Sequence, residues 1–302
     1  MYTNFRRLLC ALLLSLVAGC SMVRLGYGQL DTLAGWRAQS YFDLDTSQRD
    51  SFGQRFARLH AWHRSEQLPE YARFLAETRS RAERGLQAED ILWLIDGIKA
   101  RYGVMAARAA PDAAELLAGL NPAQVEHLKR EFEQDNQKFL REHRSNESAD
   151  NRRKAQNQHT LKQLRDWVGT LSAEQEQRIS GLLREVPLTD RLRHEDRLRR
   201  QKEFLALLET RDGDRKLFSA RLRDWLVNWE QGRPPALTQA FNESWKKRAA
   251  FYAAVDGMLT PAQRSHLLRR LQSYSEDFIA LAGEGHAVAK SGHSDCAKIA
   301  SC

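Results

Sequence analysis

The chain has 302 residues, 42% of them hydrophobic and 28% charged, which is enough for one large or two modest globular domains. Its formal net charge is +8, but acidic and basic residues are interleaved, whereas a nucleic-acid-binding arm is more often a block of like charge. The composition therefore argues against a nucleic-acid partner.

The first twenty residues have the features of an export signal. Arg6 and Arg7 form a positive segment, residues 8–17 form a short apolar segment, and the small residues Ala18 and Gly19 precede Cys20. The apolar segment is too short to cross a bilayer as a permanent helix. We therefore expect residues 1–19 to be a removable signal peptide.

The sequence VAGC at residues 17–20 resembles the lipobox of bacterial lipoproteins. The resemblance implies cleavage between Gly19 and Cys20 and attachment of acyl chains, palmitate among them, to Cys20. Buried methylene groups contribute about 0.8 kcal/mol each, so these chains would hold the protein on a bilayer. Ser21 is not the aspartate that retains lipoproteins in the inner membrane, which favours the outer membrane, facing the periplasm. The alternative is a secreted protein with a cysteine after its cleavage site.

After residue 20 the sequence has the pattern of α-helices. Leu, Ala, Arg, Gln and Glu dominate, β-branched residues are sparse, and no sustained alternation typical of strands occurs. Three stripes of apolar residues recur at helical spacing: Val125, Leu128, Phe132 and Phe139; Phe218, Leu222, Trp225 and Trp229; and Leu267, Leu271, Tyr274 and Phe278. We expect these stripes to pack in the core of an all-α fold of about ten to twelve helices, without a β-sheet.

A short repeat, L-[NST]-[PA]-x-Q, marks the starts of several helices. It occurs at residues 120–124, 171–175 and 259–263, with a looser copy at 44–48 and a degraded copy at 86–90. The first polar residue can cap the helix, and the glutamine three positions later can bond back to the backbone of that residue. The predicted capping boxes are Asp45 with Gln48, Asn121 with Gln124, Ser172 with Gln175, and Thr260 with Gln263.

The order of these boxes suggests an internal duplication. Each half of the chain contains one box, then a long helical segment, then a second box, at similar though unequal intervals. We therefore predict two related antiparallel helical bundles. The expected divisions are a tether at residues 20–35, lobe 1 at 36–145, lobe 2 at 146–282 and a disordered tail at 283–302, where helical periodicity is lost.

The chain as a whole resembles a family of Gram-negative lipoproteins that is catalogued as a domain of unknown function. The matching segments are RLGYG at residues 24–28, YFDL at 41–44, AWHR to LPEYA at 61–72, and LTPAQRSHLLRRLQSYSEDF at 259–278. The resemblance implies a lipoprotein with a mostly helical body and no established activity. The box at residues 259–263 also resembles the LTxxQ motif of small periplasmic chaperones of the Spy and CpxP type.

Motifs for catalysis or for a cofactor are missing from the sequence. It contains no G-x-S-x-G, H-E-x-x-H, C-x-x-C, P-loop or G-x-G-x-x-G, and we expect neither a catalytic residue nor a cofactor. His60 and His63 could share a helix face with Glu66 or Glu70 as zinc ligands, but we favour a packing or hydrogen-bonding role for Trp62 and His63.

The end of the chain offers a second group of metal-ligating side chains: His286, His293, Cys296 and Cys302. We favour a disulfide between Cys296 and Cys302, or a disordered segment, over a soft-metal site here.

The expected function is a non-enzymatic binding or scaffolding role in the cell envelope, with a chaperone-like or stress-related version included. The expected partners are the lipid bilayer through Cys20, and envelope proteins or unfolded clients. Two alternatives stay open. One is an enzyme that acts on peptidoglycan or lipid through an unrecognised site, and the other is metal handling by the tail.

Overall fold

The computed structural model describes the backbone of residues 22–299 and the side chains of residues 22–283. Within this part the chain forms α-helices joined by short loops and contains no strand, so the all-α prediction is confirmed. The helices are α1 Met22–Gly28, α2 Leu30–Phe42, α3 Thr46–Trp62, α4 Leu68–Glu83, α5 Ala88–Ala118, α6 Pro122–Glu142, α7 Ala149–Val168, α8 Ala173–Leu183, α9 Asp190–Leu208, α10 Arg215–Val227, α11 Pro235–Asp256 and α12 Pro261–Ile299. One π-helical turn, His63–Gln67, joins α3 to α4.

The helix boundaries follow local chemistry. The side chain of Asp214 accepts hydrogen bonds from the backbone N–H groups of Lys216 and Leu217 at the start of α10, at 2.8 and 3.1 Å. At the end of α7, Gly169 has φ of 85° and ψ of −157°, a backbone conformation open to glycine alone. Asp214 thus marks the start of α10, and Gly169 marks the end of α7.

The helices of the two predicted lobes pack against one another. The most extensive contact is between α4 and α12, and the next is between α5 and α10, so both join a helix before residue 145 to one after it. The apolar faces of α4 and α5 are covered by helices from the second half of the chain. Helices from the two sides of the predicted division at residues 145–146 therefore pack directly against each other.

Three apolar clusters form the interior. The first core contains Leu44, Leu120, Leu128, Phe204, Leu208, Phe218 and Leu222. The second core contains Leu161, Leu164, Val168, Leu171, Ile179, Leu183, Val186, Phe251 and Val255. The third is small and joins Tyr27 of α1 to Leu68 and Leu281. All three stripes predicted from the sequence contribute to these clusters, for example through Leu128, Phe218 and Phe278.

The last helix is longer than the sequence suggests. It runs to Ile299 and so extends into residues 283–302, for which we predict a disordered tail. Adding a residue to an existing helix fixes fewer torsions than starting one, so a helix that has begun can extend over residues with little helical periodicity. In the described part of the chain, no helix combines the length and apolar character needed to cross a bilayer.

Candidate functional site

The four predicted capping boxes are all formed, and the structure brings them together in two pairs. In each box the side-chain oxygen of the glutamine accepts the N–H of the capping residue, at 3.0 Å for Asp45, Asn121 and Ser172 and 2.9 Å for Thr260. The degraded copy is partly retained, because Asp90 accepts the N–H of Gln87 at 3.0 Å. The boxes at Asp45 and Asn121 lie side by side, as do those at Ser172 and Thr260.

In the first glutamine pair, Gln48 and Gln124 bond to each other and to each other's helix start. Gln48 Nε2 donates to the backbone oxygen of Gly119 at 2.9 Å, and Gln124 Nε2 donates to that of Asp43 at 2.9 Å. Each amide also donates to the side-chain oxygen of the other, at 3.2 and 2.6 Å. All donors and acceptors of both amides are therefore used.

The second glutamine pair, Gln175 and Gln263, repeats this arrangement. Gln175 Nε2 donates to the backbone oxygen of Met258 at 3.0 Å, and Gln263 Nε2 donates to that of Thr170 at 2.7 Å. The two amides exchange hydrogen bonds of 2.8 and 2.9 Å. In all four cases the accepting carbonyl lies two residues before the partner's capping residue. The predicted box residues thus have a structural role, and they align two pairs of helices at their N-termini.

A large apolar cavity lies beside the second core. Its volume is about 760 Å³, and it is enclosed by helices α4, α5, α7, α11 and α12. The side chains that line it are mostly large and apolar, and include Phe74, Leu94, Ile95, Trp167, Trp245, Tyr252 and Leu267. Ile98 and Trp167 line the cavity and are 57% and 38% exposed, so the cavity opens to solvent. Sequence analysis does not predict this site.

The charged residues on the cavity wall differ in how they are neutralised. Asp256 accepts the N–H of Leu86 at 2.9 Å and forms an ion pair with Arg264 at 2.8 Å. Arg101 lies over the ring of Phe74, with its guanidinium carbon 3.7 Å from the ring centroid, and donates to the oxygen of Gly97. Arg248 donates to hydroxyl groups. The acid on the wall is therefore paired, whereas the two arginines bond only to neutral groups among the described side chains.

A cluster of histidine and tyrosine side chains connects α1 to the π-helical turn. Tyr27 Oη and His63 Nδ1 share a hydrogen bond of 2.8 Å, and the rings of Tyr27 and His60 lie 4.6 Å apart. His60 Nδ1 is 2.9 Å from an oxygen of Asp31. Burial lowers the pKa of His63 to about 4 and raises the pKa of Tyr27 to about 12. Both groups are therefore neutral near pH 7.

The cluster supports the hydrogen-bonding role favoured for Trp62 and His63. Trp62 Nε1 donates to Glu66 at 2.8 Å, and Glu70 pairs with Arg73, so neither acid is directed at the histidines. Among the side chains that the structure describes, no three His, Cys, Asp or Glu residues are grouped to hold a metal ion.

Other predicted sites fall beyond the described residues. Residues 1–19 and Cys20 lie before the described part of the chain. The side chains of His286, His293 and Cys296 lie outside the described side chains, and Cys302 lies outside the described residues altogether. Signal cleavage, acylation, the disulfide and the tail metal site therefore stay predictions.

Sequence comparison places the chain in a family. Residues 40–236 match the model of the family of unknown function DUF6279. Because this match covers more than half of the chain, the protein belongs to that family. The matched segment contains the first glutamine pair, Gln175 and Arg101, whereas Arg248 and Gln263 follow it. Searches among curated proteins and among solved structures return no match.

Proposed function

We propose that this protein is a lipid-anchored binding protein of the cell envelope that holds an apolar chain in its cavity. Residues 1–19 are removed, Cys20 carries the acyl chains, and the helical body faces the periplasm from the outer membrane. The role is binding and not catalysis. The lipobox at residues 17–20 supports the anchor and the location.

The cavity carries the binding proposal. Protein interiors are close-packed, and voids larger than a water molecule are few. A cavity of about 760 Å³ falls within the range of ligand sites, which are about 300–1,000 Å³ and mostly apolar with a few polar groups. Asp256, the acid on its wall, is already bonded to Arg264 and to the backbone of Leu86, which supports binding over acid–base chemistry.

Quenching of tryptophan fluorescence tests this proposal, because Trp167 and Trp245 line the cavity. The probe is a brominated fatty alcohol, which is neutral, added to the mature chain with Cys20→Ser so that acyl chains do not compete. We expect saturable quenching at one probe per chain. Absence of saturable quenching would overturn the proposal.

Two variants locate the probe. Leu267→Phe adds volume inside the cavity, and we expect it to weaken probe binding about tenfold through overpacking, which costs about 1–3 kcal/mol. The matched control is Leu217→Phe on α10, a residue that is 48% exposed, and it should bind as the parent does. Equal binding by the parent and Leu267→Phe would place the probe elsewhere. Suppressed aggregation of a denatured protein without probe binding would favour the client-binding version.

A further inference from the structure

We propose that the cavity takes an anionic amphiphile, whose apolar chain lies among the helices while its carboxylate or phosphate group pairs with Arg248 and Arg101. This inference rests on the proposed binding function and specifies the chemical class of the ligand. The supporting observations are the charged residues on the cavity wall and the hydrogen bonds that their side chains make.

The charges on the wall leave an excess of positive charge. Arg101, Arg248 and Asp256 are the formally charged residues that line the cavity. Asp256 is only 4% exposed and is neutralised by Arg264, whose two terminal nitrogens lie 3.1 and 2.8 Å from its carboxylate oxygens. Two guanidinium groups therefore face an apolar space without a carboxylate partner among the described residues.

Arg248 is the stronger of the two candidates. Its Nη2 donates to the hydroxyl of Thr189 at 3.2 Å and its Nε to that of Ser244 at 3.4 Å, so it bonds to neutral groups alone. Burial lowers the pKa of Arg248, and the positive charge of Arg193 lowers it further. A half-buried cation next to a second cation is unfavourable unless an anion joins it. A ligand anion at this position would offset that cost.

Arg101 supplies the second positive charge from a neighbouring helix. It extends from α5, which packs against the α11 helix of Arg248. Its guanidinium stacks on Phe74, while Nη1 donates to the oxygen of Gly97 at 2.9 Å. The Nε atom of Arg101 is buried and has no hydrogen-bond partner among the described groups. The side chain is thus held in place by an aromatic ring, while Nη2 donates no hydrogen bond among the described groups and is the nitrogen left for an anion.

The two arginines are half-buried, which suits a ligand with a charged end and an apolar end. Arginine side chains run their apolar stems along apolar surface and keep the guanidinium near water. A headgroup at the arginines would stay close to solvent, while the chain would contact Ile95, Trp167 and Leu267 inside the cavity. Guanidinium groups bind carboxylate and phosphate with paired hydrogen bonds, so either headgroup fits the donors.

The test compares two brominated probes of equal chain length, a fatty acid and the corresponding fatty alcohol, each below its micelle concentration. Both are titrated into the mature chain with Cys20→Ser, and tryptophan quenching is measured. We expect the acid to bind at least tenfold more tightly than the alcohol. Arg248→Gln should reduce this ratio most, and Arg101→Gln should reduce it less.

The matched control is Arg221→Gln on α10, an exposed arginine away from the cavity wall, which should keep the full ratio. Inorganic phosphate is the third arm, because a headgroup without a chain gains nothing from the cavity. If millimolar inorganic phosphate displaced the brominated probe as effectively as unlabelled fatty acid does, the amphiphile proposal would be overturned in favour of a phosphate site. Equal affinity for the fatty acid and the fatty alcohol would overturn the proposal that the ligand is anionic, while the proposed binding function would stand. Binding of neither probe would overturn both proposals.

Discussion

The two glutamine pairs use the same hydrogen bonds, but the apolar regions beside them differ. Leu44 and Leu120, which precede the boxes of the first pair, are part of the first core, which is filled by aromatic side chains such as Phe218. Leu171 and Leu259 precede the boxes of the second pair, where the neighbouring core opens into the cavity. The repeated motif therefore sets the alignment of the helices, whereas the cavity depends on side chains outside the motif.

The largest effect should come from the filled core. Phe218 is 2% exposed, so Phe218→Ala should lower the free energy of unfolding by about 3–5 kcal/mol. Leu267 already faces the cavity and loses fewer contacts, so Leu267→Ala should cost about 1 kcal/mol or less. Urea denaturation of both variants measures the difference. Equal losses would mean that the cavity wall at Leu267 is packed as tightly as the first core.

Replacing one glutamine of either pair should lower the free energy of unfolding by the same amount in the two regions. Gln124→Ala and Gln263→Ala each remove a capping-box contact and leave a carbonyl in the loop before the partner helix without its donor. We expect each to lower the free energy of unfolding by about 2–3 kcal/mol.

A double-mutant cycle between Gln175 and Gln263 should show a coupling of about 1 kcal/mol or more, because their amides bond directly. The matched control is Gln137→Ala, an exposed glutamine on α6 that bonds to Glu133, and it should change stability little. A large loss at one pair and none at the other would contradict their equivalence.

The smallest expected effect is a dependence of stability on pH, which arises from His63 in the first half of the chain. The pKa of His63 is about 4 in the folded state, below its ordinary value of 6.5, so the unfolded chain binds the proton more readily. Stability from this group is present above pH 6.5 and is lost as the pH falls towards 4. Because the ring is only half-buried, we expect a loss of about 1–2 kcal/mol.

Thermal unfolding between pH 7 and pH 4 measures this loss, and hydrogen exchange should locate it at α3 and the π-helical turn. His63→Gln should flatten the pH dependence, while His159→Gln, at an exposed position on α7, should leave it unchanged. If hydrogen-exchange protection were lost at low pH around the second glutamine pair instead, the acid sensitivity would arise in the second half of the chain.

The sequence predicts the helix starts well because capping is local. A capping box involves residues three apart, so Asn121 and Gln124 are sufficient to place the beginning of α6. The choice of glutamine over glutamate in all four boxes is a signal of the pairing, because the amide has donors that a carboxylate lacks. Which boxes pair depends on the tertiary fold, and the pattern alone does not contain that information.

The π-helical turn and the cavity show where local patterns stop being informative. Pro69 lacks an N–H, which indicates a disturbance of the helix one turn earlier, but the pattern does not distinguish a π-turn from a kink or a break. The cavity is enclosed by side chains from five helices, such as Phe74, Trp167 and Tyr252. Its volume depends on how those helices pack, so no single stretch of sequence predicts it.

The glutamine pairs consist of uncharged amides and backbone groups, with Asp45 the one ionisable capping residue among the four boxes. Their strength should therefore vary little with ionic strength, even though 28% of the chain is charged. Surface charges can then be exchanged during evolution without loosening the helix alignment. Homologues are free to differ in isoelectric point while they keep the same arrangement of helices.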